Sequence, residues 1–188
     1  KRPSCQNGEN WYNLTSKAFS GDFIFPSKIG EKFRLIDNRE SNVYCDKVNY
    51  VFRVRKEYQK YSNIIFLILN SISFRYFVDL FARQLTGNQT LSDVDVNLVE
   101  QTLVINPVLL TSREKELMTI YSSLKSREQQ SIHEEILKAD RRKLDIIILE
   151  ELGLNAKDVD ELFSVAGEYV KDRQVKSESL VTSKSKQS

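Results

Sequence analysis

The chain has 188 residues, 29% of them charged, with a formal net charge of +2 and a mean hydropathy of -0.41. That length holds one ordinary domain, or one with an appendage, and is enough to bury a real core. So small a net charge excludes nucleic-acid binding driven by bulk electrostatics alone, but its distribution is uneven: residues 1–60 carry 12 basic and 7 acidic side chains, residues 61–188 carry 16 and 19.

The chain opens KRPSCQNGEN, with neither an initiator Met nor an apolar leader, as expected for a piece excised from something longer. Cys5 and Cys45 stand far apart outside any CxxC pattern. They indicate neither a zinc ribbon nor a disulfide framework, and they fit a reducing, cytoplasmic setting. From Trp11 to Arg55 the pattern is strand-like. The runs DFIFP, KFRLID and YVFRVR are separated by turn-formers at Ser20-Gly21, Lys28 to Glu31 and Asp37 to Asn42. In YVFRVR the alternation puts Tyr50, Phe52 and Val54 on a packing face, and Arg53 and Arg55 on a wet, cationic one.

The most apolar stretch, Ile64 to Leu85, is tested first as a membrane span. Its uncharged run, Tyr61 to Phe74, contains Asn63, Asn70, Ser71 and Ser73 and falls short of the about 20 apolar residues a span needs. It is read as core, in two helices. Ser62 is the expected N-cap of the first, which runs to about Asn70. The second restarts near NSIS with Phe74, Phe77, Val78, Phe81 and Leu85 as its apolar stripe and Arg75, Asp79 and Arg83 off it. A loop over Thr86 to Gln89 and a last strand, QTLVINP, ending at Pro107, complete this half.

Beyond Thr111 the chain reads as helical. TSRE at Thr111 has the form of a capping box, SREQ at Ser126 repeats it, and Leu117, Ile120, Tyr121 and Leu124 form the stripe between them. Ile132, Ile136, Leu144, Ile147, Ile148 and Leu152 belong to one long helix or to two joined at Asp140, closed by Gly153. A final helix carries Val159, Leu162, Phe163, Ala166, Tyr169 and Val170. The expected class is α+β: a twisted-sheet module with packed helices over 1–108, a helical segment over 109–173, and a disordered tail over 174–188, where VKSESLVTSKSKQS lacks an apolar period.

WYNL, FIFPSKIGEKFRLIDN, DKVNYVFRV, FLILNSISFRYFVDLFARQLTG and INP, in that order, resemble the target-recognition domain of adenine-N6 DNA methyltransferases of restriction-modification systems. The Leu69-Asn70-Ser71 triplet on an apolar helix carries most of the likeness. ADRRKLDIIILEELGL resembles the helical region that follows this domain in larger fused enzymes. The resemblance spans about Trp11 to Arg173 and implies sequence-specific recognition of double-stranded DNA. It also implies a methyltransferase domain, using S-adenosylmethionine, upstream in the parent chain. This chain has no FxGxG-like cofactor loop, and INPV at Ile105 to Val108 lacks the aromatic of an Asn-Pro-Pro-Tyr-like tetrad that would stack on a flipped adenine. No cofactor, metal or catalytic residue is therefore expected here.

The candidate DNA contacts are Lys28, Lys32, Arg34, Asn38 and Arg39 in the first basic region, Lys47 in the second, and Arg53 and Arg55 on the strand. Lys and Arg hold phosphates by charge, and Arg or Asn makes bidentate contacts to base edges. The plain alternative is a solvated face. Trp11 and Tyr12 are candidates for base stacking or, more simply, for core anchoring. His133, the only histidine, has no partners at ligand or triad spacing. Two other readings stay open: a specificity subunit of a multisubunit restriction system, and a helical protein-interaction module in which the acidic 111–173 segment binds a partner.

Overall fold

Phe23, Ile24 and Phe25 are all buried, and the strand they form, β1 (Phe23–Pro26), is the middle of an antiparallel sheet. β3 (Ile36–Asp37) and β4 (Asn49–Phe52) flank it, with Phe23 opposite both Asp37 and Phe52. The computed structural model describes residues 20–41, 43–45, 48–85 and 91–185, with no account of the side chains of 178 and 180–185. Cys5, Trp11, Tyr12, Lys47 and the 86–89 loop lie outside the described residues. A Cβ on Gly21 would sit 2.6 Å from the Phe52 carbonyl oxygen, so the close approach of the chain at the start of β1 requires glycine. A second small antiparallel sheet has the order β2 (Lys28–Ile29), β6 (Ser92–Asp93), β5 (Arg83–Gln84).

Against these sheets lie α1 (Ser62–Asn70) and α2 (Ile72–Phe81), which meet at 59°. No single helix among the described residues is long and apolar enough to cross a membrane, and Ile64, Phe66, Leu67 and Ile68 of α1 are core. Ser62 does not cap α1. A 3-10 helix, Lys56–Tyr61, runs straight into it, and the Ser62 hydroxyl donates to the Gln59 carbonyl at 2.6 Å. The break at Ser71 is as the sequence suggests: its Oγ accepts from Phe74 N at 3.1 Å and caps α2.

The expected stripe of α2 needs correction. Phe74 and Val78 are buried, but Phe77 and Phe81 are 39% and 61% exposed, while Arg75 and Asp79 are each 1% exposed. The two charged residues enter the interior with partners from distant segments: Arg75 donates to the Gly30 and Glu31 carbonyls, and Asp79 accepts from Arg173. The strand expected at 101–107 is also absent: Gln101 ends α3 (Val96–Gln101), 102–106 is irregular, and Pro107 opens a 3-10 helix, Pro107–Arg113. Proline suits that first position, where its missing N–H costs nothing.

Both proposed capping boxes are displaced. Thr111 lies inside the 3-10 turn, its hydroxyl donating to Val108 O, and α4 (Glu114–Ser126) starts after it. Ser126 is the last residue of α4. The box that forms is Ser131 with Glu134, where Glu134 accepts from Ser131 N at 3.2 Å and opens α5 (Ile132–Glu135). α6 (Ala139–Glu150) follows as a separate helix, and Gly153, at φ +79°, turns the chain into α7 (Ala156–Ser185).

Instead of a disordered tail from Gln174, α7 continues to Ser185. Its later turns have partners: Arg173 pairs with Asp79 at 2.5 Å, and the Gln174 amide donates to Glu31. One apolar core runs from Phe23 to Val170. It does not divide at residue 108, for Phe66 of α1 packs edge-on against Tyr121 of α4 at 5.4 Å. The architecture is α+β, with small antiparallel sheets and packed helices.

Candidate nucleic-acid interface

The β3-β1-β4 register sends the candidate contact residues to opposite ends of the sheet. Asn38, Arg39, Arg53 and Arg55 follow the ends of β3 and β4 beside the start of β1, whereas Lys28 and Lys32 follow the other end of β1. Their environments differ as much. Asn38 is 1% exposed; its amide donates to Gly21 O at 3.0 Å and to Val43 O at 2.9 Å and accepts from Val43 N at 2.7 Å, so it holds the loop together.

Arg39 is similarly committed. It grips Asp37 through Nε and Nη2, donates to Asn63 and Tyr121, and lies over the Phe23 ring at 5.3 Å. Burial works against the Asp37 carboxylate, but the bonds from Arg39 and Tyr121 outweigh it and hold its pKa at about 2. Arg34 is half-buried and reaches the Arg127 carbonyl at 3.4 Å; burial, with Arg141 and Arg127 nearby, lowers its pKa. Lys32 faces Glu128 at 3.5 Å across an exposed gap. Lys28 is exposed and, among the described residues, has no ion-pair partner.

Arg53 and Arg55 behave differently. Strand alternation leaves both exposed, and Tyr50, Phe52 and Val54 pack on the core. Arg53 spans the sheet end to donate to Ser20 O from Nε at 3.1 Å and Nη2 at 2.8 Å, which fixes its position without neutralising it. Immediately after, the 3-10 helix displays Lys56 and Lys60, and Tyr58 is 39% exposed between them. Lys60 lies 4.8 Å from the centre of the Tyr61 ring. The run RVRKEYQK thus presents four cations, with no carboxylate paired to any of them among the described residues. Asp22 anchors the run by accepting from Val54 N at 2.6 Å and from Gln59. Lys56, Tyr58 and Lys60 went unremarked in the sequence; the signal was basic residues interleaved with tyrosines just past an amphipathic strand.

A second set of charged residues is buried: Arg75, Asp79, Glu135, Arg141, Asp145 and Arg173. Glu135, fully buried, binds Arg127 at 2.6 Å and Arg141 at 2.6 Å, and Arg127 also holds Asp140 at 3.0 Å. Burial opposes ionisation of Glu135, but Arg127 and Arg141 hold its pKa at about 2. Arg141 also donates to the Asn70 carbonyl at the end of α1. Asp145 of α6 accepts from Ile72 N at 3.0 Å and Ser73 N at 2.8 Å, so it satisfies the free N–H groups at the start of α2. The ion pairs lie within residues 127–141, and the bonds to Asn70, Ile72 and Ser73 tie that cluster to the α1–α2 corner.

Among the described residues no group of three or more His, Cys, Asp or Glu side chains is placed to hold a metal. His133 lies beside Gly167 of α7, its Nδ1 3.8 Å from where a Cβ there would be. No family model matches the chain, and no curated protein or solved structure matches it.

Proposed function

We propose that the chain recognises duplex DNA on behalf of an adenine-N6 methyltransferase of a restriction-modification system. The catalytic domain, with its S-adenosylmethionine, is a separate upstream part of the parent. The observation that carries the reading is the exposed run Arg53–Lys60. Arg53 and Arg55 project from one face about 7 Å apart, and Lys56 and Lys60 continue the same surface without acidic partners. Such cations hold phosphates and set register, while sequence is read by neighbouring loops. The Leu69-Asn70-Ser71 corner acts on a different segment, where Asn70 fixes the stretch that carries Lys32 and Arg34 through Leu35. A specificity subunit would use the same surface and differ in its upstream partner.

The test is selection of bound duplexes from a randomised pool by the purified chain. Enrichment of a short motif containing adenine is expected; recovery of all sequences alike would contradict specific recognition.

One observation favours a second reading. The helical stripes that an interaction module would offer are internal, including Leu117, Ile120, Leu124, Phe163 and Val170. Elsewhere, however, Phe77 and Phe81 stack at 4.9 Å on the outer face of α2, and Leu103 is 88% exposed. The exposed Phe77–Phe81 pair fits a protein partner. Self-association of the wild type in sedimentation velocity, lost in Phe81→Ser, would support it; a monomer at all concentrations would remove the simplest such partner.

A further inference from the structure

Tyr58 stands in the middle of the basic run, on the 3-10 helix Lys56–Tyr61. With about three residues per turn, Lys56 and Lys60 leave that helix about 120° to either side of Tyr58, one below it and one above. The backbone here is fixed: Tyr58 N donates to Arg55 O at 2.9 Å, the Gln59 side chain donates to Val54 O at 2.7 Å, and the Gln59 carbonyl accepts from Ser62 Oγ at 2.6 Å. The Tyr58 side chain is 39% exposed and, among the described residues, meets no other ring, no cation and no hydrogen-bond partner. Tyr61, one turn on and on the same side of the helix, differs: it packs against the core, and its ring faces Lys60 at 4.8 Å.

An intact duplex offers such a ring little. Its outside is phosphate and sugar, its grooves show base edges, and the faces of its bases are covered by stacking. The phosphates are already matched by Arg53, Arg55, Lys56 and Lys60; Glu57, in the first turn of the helix, forms no ion pair with any of them. A flat ring between two ammonium groups suits a nucleotide whose base is out of the stack: the phosphates on either side meet the ammoniums, and the base face meets the ring. Ordering that ring costs little entropy, for tyrosine has two side-chain torsions and this one stands on a pinned turn.

We infer that Tyr58 stacks on an unpaired base, so that this strip prefers duplex DNA carrying a base out of the helix to fully paired duplex. The inference rests on the DNA reading of Arg53–Lys60 and names the form of DNA that this edge selects. Every base has a face to stack, so Tyr58 reads the structure of the DNA and leaves its sequence to the neighbouring loops.

The experiment measures, at one salt concentration, the affinity of the whole chain for a duplex with a single bulged adenine and for the same duplex without the bulge. The wild type is expected to bind the bulged duplex about tenfold more tightly. Tyr58→Ser should bring the ratio of the two affinities to about one, and Tyr58→Phe, which keeps the ring, should retain it. A wild type that binds both duplexes equally would overturn the inference and leave the DNA reading standing. So would a preference that survives in Tyr58→Ser, or one that Tyr58→Phe loses as fully as Tyr58→Ser, which would assign it to the hydroxyl. Failure of the wild type to bind either duplex would remove the DNA reading, and the inference with it.

Discussion

Asn70 holds Leu35 by both of its backbone groups: its Oδ1 accepts from Leu35 N at 3.1 Å and its Nδ2 donates to Leu35 O at 3.3 Å. The same amide donates to Phe66 O at 2.9 Å. A side chain at the end of α1 thus takes the place of a neighbouring strand for a segment that is otherwise irregular. The basic residues Lys32 and Arg34 are carried on that segment.

Asn70→Ala should therefore cost about 2–4 kcal/mol, because it leaves a buried N–H and a buried carbonyl of Leu35 unmet. Denaturant unfolding measures the loss. Amide exchange should quicken first at 33–37, ahead of the helices.

Acid should weaken the fold through Glu135 and Asp37. Each has a folded pKa of about 2, below its ordinary value, so the folded state favours the ionised form. Their contribution is complete above the ordinary carboxylate pKa and is lost as the pH falls from about 4.5 towards 2. Tm measured across that range should fall steeply in the wild type and less steeply in Glu135→Gln, which starts lower at neutral pH because Arg127 and Arg141 lose their shared charge.

Phe163→Ala should cost about 3–5 kcal/mol, since its ring is 6% exposed within the core. Duplex affinity per folded molecule should not change, because α7 is scaffold. A loss below about 1 kcal/mol in chemical denaturation would mean that the ring is not packed as described.

What the sequence made legible follows from local pattern. The alternation in YVFRVR, the helix break at Ser71, the closing Gly153 and the stripes at Leu117 to Leu124 and Val159 to Val170 are set by residues within one or two turns of each other. The faces of α2 were not legible. Arg75 and Asp79 look solvated until Gly30 and Arg173 are brought to them, and those partners are distant in the chain. The same cause hid the start of the α7 continuation, where Asp79, Ser92 and Glu31 hold Arg173 and Gln174 without an apolar period. At the candidate interface, Arg53 and Arg55 were readable from alternation. The commitment of Asn38 and Arg39 to the fold was not, because Gly21, Asn63 and Tyr121 meet them only in three dimensions.

The salt dependence of duplex binding tests the DNA-recognition account most directly. Each phosphate contact contributes about 0.9 to the log-log slope. Replacing Arg53, Arg55, Lys56 and Lys60 together by Ala should flatten that slope by about 2 to 4, and replacing Lys28 and Lys32 should change it less. An unchanged slope in the fourfold variant, with the protein still folded, would contradict the assignment of Arg53–Lys60 as the DNA-facing edge.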